Sequence, residues 1–286
     1  MKVIGFPGQG AQKAGMGADL FADFGELVAA ADAVLGYSVA ELCVENPDGA
    51  LLLTQYAQPA LYVVEALACL RHRQADPTPP DYLLGHSIGE FAALFAAGVF
   101  DFVTGLRLVA RRGELMSRCT GGTMAAVLGL AAEEIDDLLT RPGLAELDVA
   151  LYNAPGQIVL AGPEDAVDRL LRETAGTAVR AVRLNVSGPF HSRYMKPAAV
   201  EFERYAREFD LAPPEIPVIA NVTARPHVPG EIAHTLARQI CEPVQWERSI
   251  RLLLAAGELD LVELGPGTTL AGMVARIRGK RLRAAA

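Results

Sequence analysis

The sequence predicts an α/β protein in which a large parallel-sheet unit carries a smaller, inserted α+β unit. Three observations predict it. Short apolar runs of strand length alternate with longer stretches of helical apolar spacing along the 286 residues. One such run, Tyr82-Leu83-Leu84, feeds into Gly85-His86-Ser87-Ile88-Gly89, a Gly-x-Ser-x-Gly turn followed by a helical pattern. Between residues 124 and 186 the order changes to strand, helix, strand, strand, helix, strand, which is the split βαβ or ferredoxin-like unit. The expected large unit therefore comprises residues 1–123 and 187–286, and the expected small unit residues 124–186.

The elements follow in order. Residues 2–6 read as a buried strand, and the glycines of Pro7-Gly8-Gln9-Gly10-Ala11-Gln12 allow backbone to approach a ligand closely. The spacing there is neither Gly-x-Gly-x-x-Gly nor a Walker motif. Residues 17–35 and 58–74 have helical spacing, separated by a turn at Asn46-Pro47-Asp48-Gly49. The segment from Gln74 to Pro80 ends the second helix and leads to the strand before Ser87. Helices are expected at 89–97 and 102–118. In the latter, Arg111 and Arg112 point about 100° apart, so one can face inward while the other is solvated. Within the insert, 124–130, 149–153, 157–161 and 178–186 read as strands, and 132–140 and 164–175 as helices. After the loop Ser187-Gly188-Pro189-Phe190-His191-Ser192, helices are expected at 197–209, 230–240, 249–256 and up to Ile277, with strands at 216–221 and 259–263.

Composition narrows the function classes. Apolar residues make up 51%, ample for a large core, and the net charge of −8 argues against nucleic acid as the main partner. The longest apolar run, Phe91 to Phe100, is shorter than the ~20 residues of a membrane span. No signal peptide is visible at the N-terminus. Four cysteines (Cys43, Cys69, Cys119, Cys241) lack metal-ligand spacing and read as reduced, mostly buried thiols of a cytoplasmic protein. The basic run Arg276-Ile277-Arg278-Gly279-Lys280-Arg281-Leu282-Arg283 is either a local patch or a solvated tail.

The chemistry begins at Ser87. A serine at a sharp strand-to-helix corner projects its hydroxyl above the sheet edge, and the Ile88 N–H at the helix start points to where an oxyanion would form. A loop bringing the Gln9 N–H or side chain beside Ser87 would complement it. A serine hydroxyl needs a base at neutral pH. Of the five histidines, His72 lies in an Arg-His-Arg helix end, and His227 and His234 fall in or near a loop. His86 is expected to point away from Ser87, as strand neighbours do, and to be structural. His191 remains as a candidate, where the chain returns from the small unit. No acid between Ser87 and His191 stands out as a triad member, so a dyad whose imidazole is oriented by backbone carbonyls is the expectation.

Further motifs join these in order: Phe6-Pro7-Gly8-Gln9-Gly10-Ala11-Gln12, Gly85-His86-Ser87-Ile88-Gly89-Glu90, Arg112-Gly113-Glu114-Leu115-Met116, Asn153-Ala154-Pro155-Gly156-Gln157, Pro189-Phe190-His191-Ser192, Pro243-Val244-Gln245-Trp246 and Glu263-Leu264-Gly265-Pro266-Gly267. Over nearly the whole chain this set resembles the malonyl-CoA:acyl carrier protein transacylase family. The stretches 54–62 and 94–102 are most similar to the discrete acyltransferases that serve polyketide synthases in trans. The resemblance implies an α/β-hydrolase-like large subdomain with a ferredoxin-like insert. It implies Ser87 as the nucleophile that becomes an acyl ester, His191 as base and then acid, and the N–H groups of Gln9 and Ile88 as the oxyanion hole. It also implies Arg112 as the partner of the substrate carboxylate, the Gln239 carbonyl as the group that orients His191, and Met116 and Asn153 as pocket lining. Phe190 is the expected gate for substituents at C2 of the acyl group, although Gly188-Pro189 departs from the pattern of the related modular domains.

A physical argument supports Arg112 apart from the resemblance. A carboxylated acyl chain entering a dry pocket carries a charge too costly to bury unpaired, and a fixed guanidinium meets it with two hydrogen bonds. The expected substrates are malonyl-CoA and the phosphopantetheine thiol of a carrier protein, with no metal, redox cofactor, nucleic acid or membrane. Carrier contacts are expected from Arg193, Lys196 or the C-terminal run. Malonyl transfer for fatty acid synthesis, hydrolytic proofreading of acyl carrier proteins and a non-catalytic docking scaffold are the rival readings. The need for a buried cation counts against the hydrolase, and the joint presence of Ser87, His191, Gln9 and Arg112 against the scaffold.

Overall fold

The computed structural model describes residues 1–279. β1 (Lys2–Phe6) is followed by α1 (Ala18–Phe21), α2 (Gly25–Leu35), α3 (Val39–Glu45), a 3-10 turn at Pro47–Leu52 and the long α4 (Thr54–Ala75). Next come β2 (Tyr82–Gly85), α5 (Gly89–Ala96) and α6 (Phe102–Ser117). The second unit runs β3 (Gly122–Leu128), α7 (Ala132–Leu139), β4 (Asp148–Ala154), β5 (Gln157–Pro163), α8 (Glu164–Thr174) and β6 (Arg180–Arg183). The chain then returns through α9 (Lys196–Ala206), β7 (Val218–Ala220), β8 (Arg225–Pro226), α10 (Ile232–Cys241), α11 (Trp246–Ala256), β9 (Asp260–Glu263) and α12 (Thr269–Ile277).

The large sheet has the order β8-β7-β2-β1-β9. β1 pairs in parallel with β2 and β9, and β2 pairs in parallel with β7; only the short edge strand β8 is antiparallel. Parallel strands buried by helices read as continuous apolar runs, and β1 and β2 do so. The second sheet, β4-β5-β3-β6, is antiparallel throughout, with the strand order of a ferredoxin-like unit. Val244 stitches the two units together. Its N–H donates to Ala150 O at 2.9 Å and its carbonyl accepts from Tyr152 N at 3.0 Å. Trp246, two residues on, is 1% exposed. No single helix among the described residues is long and apolar enough to cross a membrane.

Several expectations change in detail. The helix over 17–35 is two helices, because Asp23 N–H bonds back to Leu20 O and Phe24 leaves helical geometry at φ −124°. α3 is an element the apolar spacing did not reveal; the Ser38 side chain caps it by accepting from Glu41 N–H at 3.2 Å. The strand expected over 178–186 pairs only across 180–183, because Leu184, Asn185 and Val186 turn to line the central cavity. Of the cysteines, Cys43 and Cys69 are buried, whereas Cys119 and Cys241 are half-buried, and all four are free thiols.

The packing of α4 against α6 positions the site. Gly105 and Gly113 lie on the face of α6 that meets α4. A Cβ on Gly105 would come within 2.1 Å of the Tyr62 hydroxyl, and one on Gly113 within 3.1 Å of the Gln55 Cα. The close approach carries Arg112 inward against Gln58. Leu61, Leu67, Leu106 and Leu108 are fully buried around this contact, each contributing roughly 1.5–3 kcal/mol.

Candidate active site

Sterics force the Ser87 corner. Ser87 has φ +52°, a conformation that L side chains rarely adopt. A Cβ on Gly85 would stand 1.9 Å from the Gly89 carbonyl carbon, and one on Gly89 would stand 2.3 Å from Phe6 O. Only glycine fits at either position, which is the physical content of Gly-x-Ser-x-Gly. Asn221, from the end of β7, braces the corner. Its Oδ1 accepts from Ser87 N–H at 2.7 Å and its Nδ2 donates to Gly85 O at 2.7 Å.

His191 also lies at positive φ, +58°. Its Nδ1–H donates to the Gln239 carbonyl at 2.6 Å, which leaves Nε2 as an acceptor 2.8 Å from Ser87 Oγ. The orienting group is a backbone carbonyl near the end of α10, and no carboxylate takes part in the pairing. Burial, and after it the positive charge of Arg112, pushes the imidazole down to about 3, although the hydrogen bond to Gln239 O opposes the shift. The ring is neutral at neutral pH and ready to accept a proton.

Arg112 is 1% exposed. Its Nη1 donates to Gln58 Oε1 at 2.5 Å, and its Nη2 donates to Gln239 Oε1 at 2.8 Å and to Ser87 Oγ at 3.2 Å. Its Nε has no partner among the described residues. Burial pushes the guanidinium down to about 9, against the raising influence of Glu90, so it is still charged at neutral pH. Arg111, its neighbour, faces outward to Glu114 and Glu201. The opposite fates expected of the two arginines are observed.

These groups surround a cavity of about 390 Å³. Gln9, Ile88, Met116, Phe190 and the apolar side chains Leu52, Met124, Leu151 and Leu184 also line it. Neither the Gln9 nor the Ile88 backbone N–H donates to another group among the described residues. The Gln9 side chain is anchored by Thr54, whose hydroxyl donates to its Oε1 at 2.8 Å and accepts from Gln58 Nε2 at 2.7 Å. The Gln9 loop and Arg112 thus share one hydrogen-bonded chain through Thr54 and Gln58.

Two expectations need correction. Asn153 is not a lining residue; its Oδ1 accepts from His86 Nε2 at 2.8 Å. His86 does line the cavity, contrary to the reading that strand alternation turns it away, because the chain leaves strand geometry at Gly85. Its ring fills the space beside Gly8, where an added Cβ would lie 2.8 Å from Nδ1. Of the suggested surface cations, Arg193 is engaged by Asp148, whose carboxylate accepts from its N–H at 2.7 Å and Nε at 2.8 Å. Lys196 opens α9 on the surface, and residues 280–283 of the basic run lie outside the described residues. Gln58, Asn221, Glu90 and His227 were not singled out by sequence reasoning. Gln58 and Glu90 each stand within a stretch that carries the family resemblance, but no spacing rule marks a lone amide or carboxylate.

A serine hydroxyl hydrogen-bonded to a neutral imidazole, two free N–H groups beside it and a buried guanidinium at its back can perform nucleophilic acyl transfer on a carboxylated acyl group. The family model for the acyl transferase domain matches residues 4–280. The polyketide biosynthesis malonyl CoA-acyl carrier protein transacylase BaeC of Bacillus velezensis is 48% identical over 277 residues, 96% of each chain. The malonyl CoA-acyl carrier protein transacylase of Synechocystis is 39% identical, covering 95% of this chain and 92% of that one. Among solved structures, the malonyl CoA-acyl carrier protein transacylase of Burkholderia pseudomallei aligns with TM-score 0.95 at 46% identity over 99% of both chains. A malonyl-transacylase in complex with its type II PKS acyl-carrier protein aligns with TM-score 0.91 at 35% identity, over 98% of this chain and 93% of that one.

Proposed function

This chain belongs to the acyl transferase domain family, among the malonyl-CoA:acyl carrier protein transacylases, and we propose that it moves malonyl groups through an ester on Ser87. The donor is malonyl-CoA and the acceptor is the phosphopantetheine thiol of an acyl carrier protein serving polyketide biosynthesis. Greater identity to BaeC than to the Synechocystis transacylase supports the polyketide assignment. The reading takes residues 124–186 as the inserted small subdomain and the rest as the large one.

In the first half-reaction the Ser87 hydroxyl gives its proton to His191 Nε2 and attacks the thioester carbonyl. The N–H groups of Gln9 and Ile88 receive the oxyanion; loss of one such donor typically costs about 10²–10³ in rate. The tetrahedral intermediate expels the CoA sulfur, which takes the proton from His191, and malonyl-Ser87 remains. In the second half the carrier thiol gives its proton to His191 and attacks the ester carbonyl, and the serine oxygen leaves with that proton. No cofactor takes part in either half. Arg112 holds the free malonyl carboxylate throughout, and Phe190 faces the C2 carbon.

The observation that carries this reading is the buried Arg112 guanidinium within 3.2 Å of the nucleophilic oxygen. A site for uncharged acyl groups gains nothing from a buried cation, which costs several kcal/mol to desolvate. The test is to incubate the protein with malonyl-, methylmalonyl- and acetyl-CoA, weigh the acyl-enzyme intact, and then add carrier protein. A malonyl adduct on Ser87 that passes to the carrier is expected. No adduct on Ser87 would sink the mechanism, a dominant acetyl adduct would sink the role of Arg112, and rapid release of free acid would make the protein a hydrolase.

A further inference from the structure

Behind Ser87 lies a second polar cluster that the transfer reaction does not use. Glu90, in the first turn of α5, is completely buried. Its Oε1 accepts from His227 Nε2 at 2.6 Å. Its Oε2 accepts from Gln239 Nε2 at 2.6 Å and from the Asn221 backbone N–H at 3.2 Å. His227 is also buried, and its Nδ1 has no partner among the described residues. Neither Glu90 nor His227 lines the substrate cavity. Three donors converging on one carboxylate beneath the nucleophile form a costly arrangement, and a buried charge that nothing requires is not cheap to keep.

The carboxylate decides which way round the Gln239 amide sits. The two ends of a glutamine amide have nearly the same shape and opposite hydrogen-bonding character. Gln239 Nε2 faces two groups that only accept, Glu90 Oε2 and the Ser87 carbonyl oxygen at 2.8 Å. Its Oε1 is thereby turned to Arg112 Nη2. Reversal would set the amide oxygen against the carboxylate and its NH₂ against the guanidinium, two repulsive contacts in a dry interior. With the amide fixed, Arg112 is held at both terminal nitrogens by neutral oxygens, those of Gln58 and Gln239. Among the described residues no carboxylate touches the guanidinium directly, and the counter-charge of Glu90 stands one amide away. A directly paired carboxylate would compete with the substrate for the guanidinium. A relayed one supports the buried cation and leaves it available.

We propose that Glu90 is a positioning residue for selection of carboxylated acyl groups: braced by His227 and Asn221, it locks the Gln239 amide and so presents Arg112 to the substrate carboxylate. The proposal rests on the reading of Arg112 as the malonyl partner. Glu90→Met tests it. The side chain keeps nearly the length of glutamate but offers no acceptor, so one of the two acceptors that fix the Gln239 amide is gone and the Ser87 carbonyl alone remains. Initial rates of Ser87 loading from malonyl-CoA and acetyl-CoA, with separate kcat and KM, are measured beside the melting temperature. The expected result is a malonyl kcat/KM lower by about thirty-fold, mostly through KM, with acetyl loading within about three-fold of the parent. Glu90→Asp, which keeps the carboxylate, should recover part of the malonyl-to-acetyl ratio. An equal fall for both substrates, or an unchanged ratio, would overturn the proposal. If Glu90→Met no longer melts cooperatively, His227→Leu, which leaves Glu90 Oε1 without its donor, provides the second reading: a ratio lowered in the same direction supports the braced lock, and an unchanged one rejects it. Failure of the unaltered protein to load malonyl at all would instead refute the proposed function, so the two failures are distinguishable.

Discussion

Ser87 and His191 are two strained residues held in place by different means. Both sit at positive φ, +52° and +58°, without being glycine. Ser87 is held locally: the close passage of Gly85 against Gly89, four residues away, leaves the chain one path through the corner. His191 is held remotely. Its N–H donates to Ile240 O at 3.1 Å and its Nδ1–H to Gln239 O at 2.6 Å, both near the C-terminal end of α10. Strain at a reactive residue persists only when surrounding structure over-determines it. At Ser87 the tight pair Gly85 and Gly89 are sequence neighbours, so a motif records them, although the Asn221 brace on the same corner goes unrecorded. At His191 the surroundings lie some fifty residues downstream, so no motif does.

The largest break in this comparison is Gly85→Ala. The added methyl would overlap the Gly89 carbonyl carbon and oxygen, at 1.9 and 2.0 Å, and the Glu90 nitrogen at 2.2 Å, all backbone atoms with nowhere to move. The cost should exceed the ~1–3 kcal/mol typical of overpacking. Loss of soluble, cooperatively melting protein is expected, and thermal melts together with Ser87 loading would read it. Gly188→Ala is the counterpart in the His191 loop. There the nearest atoms are Cys119 O at 2.9 Å and two side-chain tips, Phe190 at 3.2 Å and Met195 at 3.3 Å, which can give way. The fold should survive, with a melting temperature lower by a few degrees. Loading should slow by about ten-fold as Phe190 and His191 shift, and the malonyl-to-methylmalonyl ratio should change, because one methyl group in a pocket is worth about 1–3 kcal/mol. A Gly188→Ala protein with unaltered rates and ratio would mean that this loop does not hold the histidine as described.

The same contrast explains what the sequence made legible. The strand-turn-helix at 82–96 and the βαββαβ order at 124–186 follow from local spacing and sterics, as does the divergence of Arg111 and Arg112, whereas the choice of Arg112 as the inward one rests on the family resemblance. The break at Ala22–Phe24 and the early end of β6 do not, because tertiary contacts decide them. Asn153 was misplaced because a residue beside the cavity and a residue that orients one of its walls leave the same trace in sequence. Gln58, Asn221 and Glu90 act through partners 54, 134 and 149 positions away, as seen in Gln58–Arg112, Asn221–Ser87 and Glu90–Gln239. Separations of that size carry no spacing signal, so only the folded chain assembles these pairs.

The smallest effect expected is in the pH dependence, and it bears on the remote half of the pair. An unperturbed imidazole near 6.5 would be only a few per cent neutral at pH 5, and loading that needs His191 as a base would fall about thirty-fold there from its value at pH 8. Burial and the charge of Arg112 hold this ring down to about 3, so loading should change by less than two-fold between pH 8 and pH 5. The same shift has a stability consequence. The unfolded chain binds a proton at His191 below its ordinary 6.5, whereas the folded chain does not until far lower, so this group favours unfolding progressively as pH falls from 6.5 toward 3. Arg112→Gln separates the two causes. Removing the positive charge should raise the acid limb of acetyl loading, which does not use the guanidinium. The limb should nevertheless stay below the ordinary imidazole range, because burial is the larger cause. An acid limb near 6.5 in the unaltered protein would mean that the cavity admits enough water to solvate His191. The dyad would then owe its neutral base to solvent pH rather than to the fold.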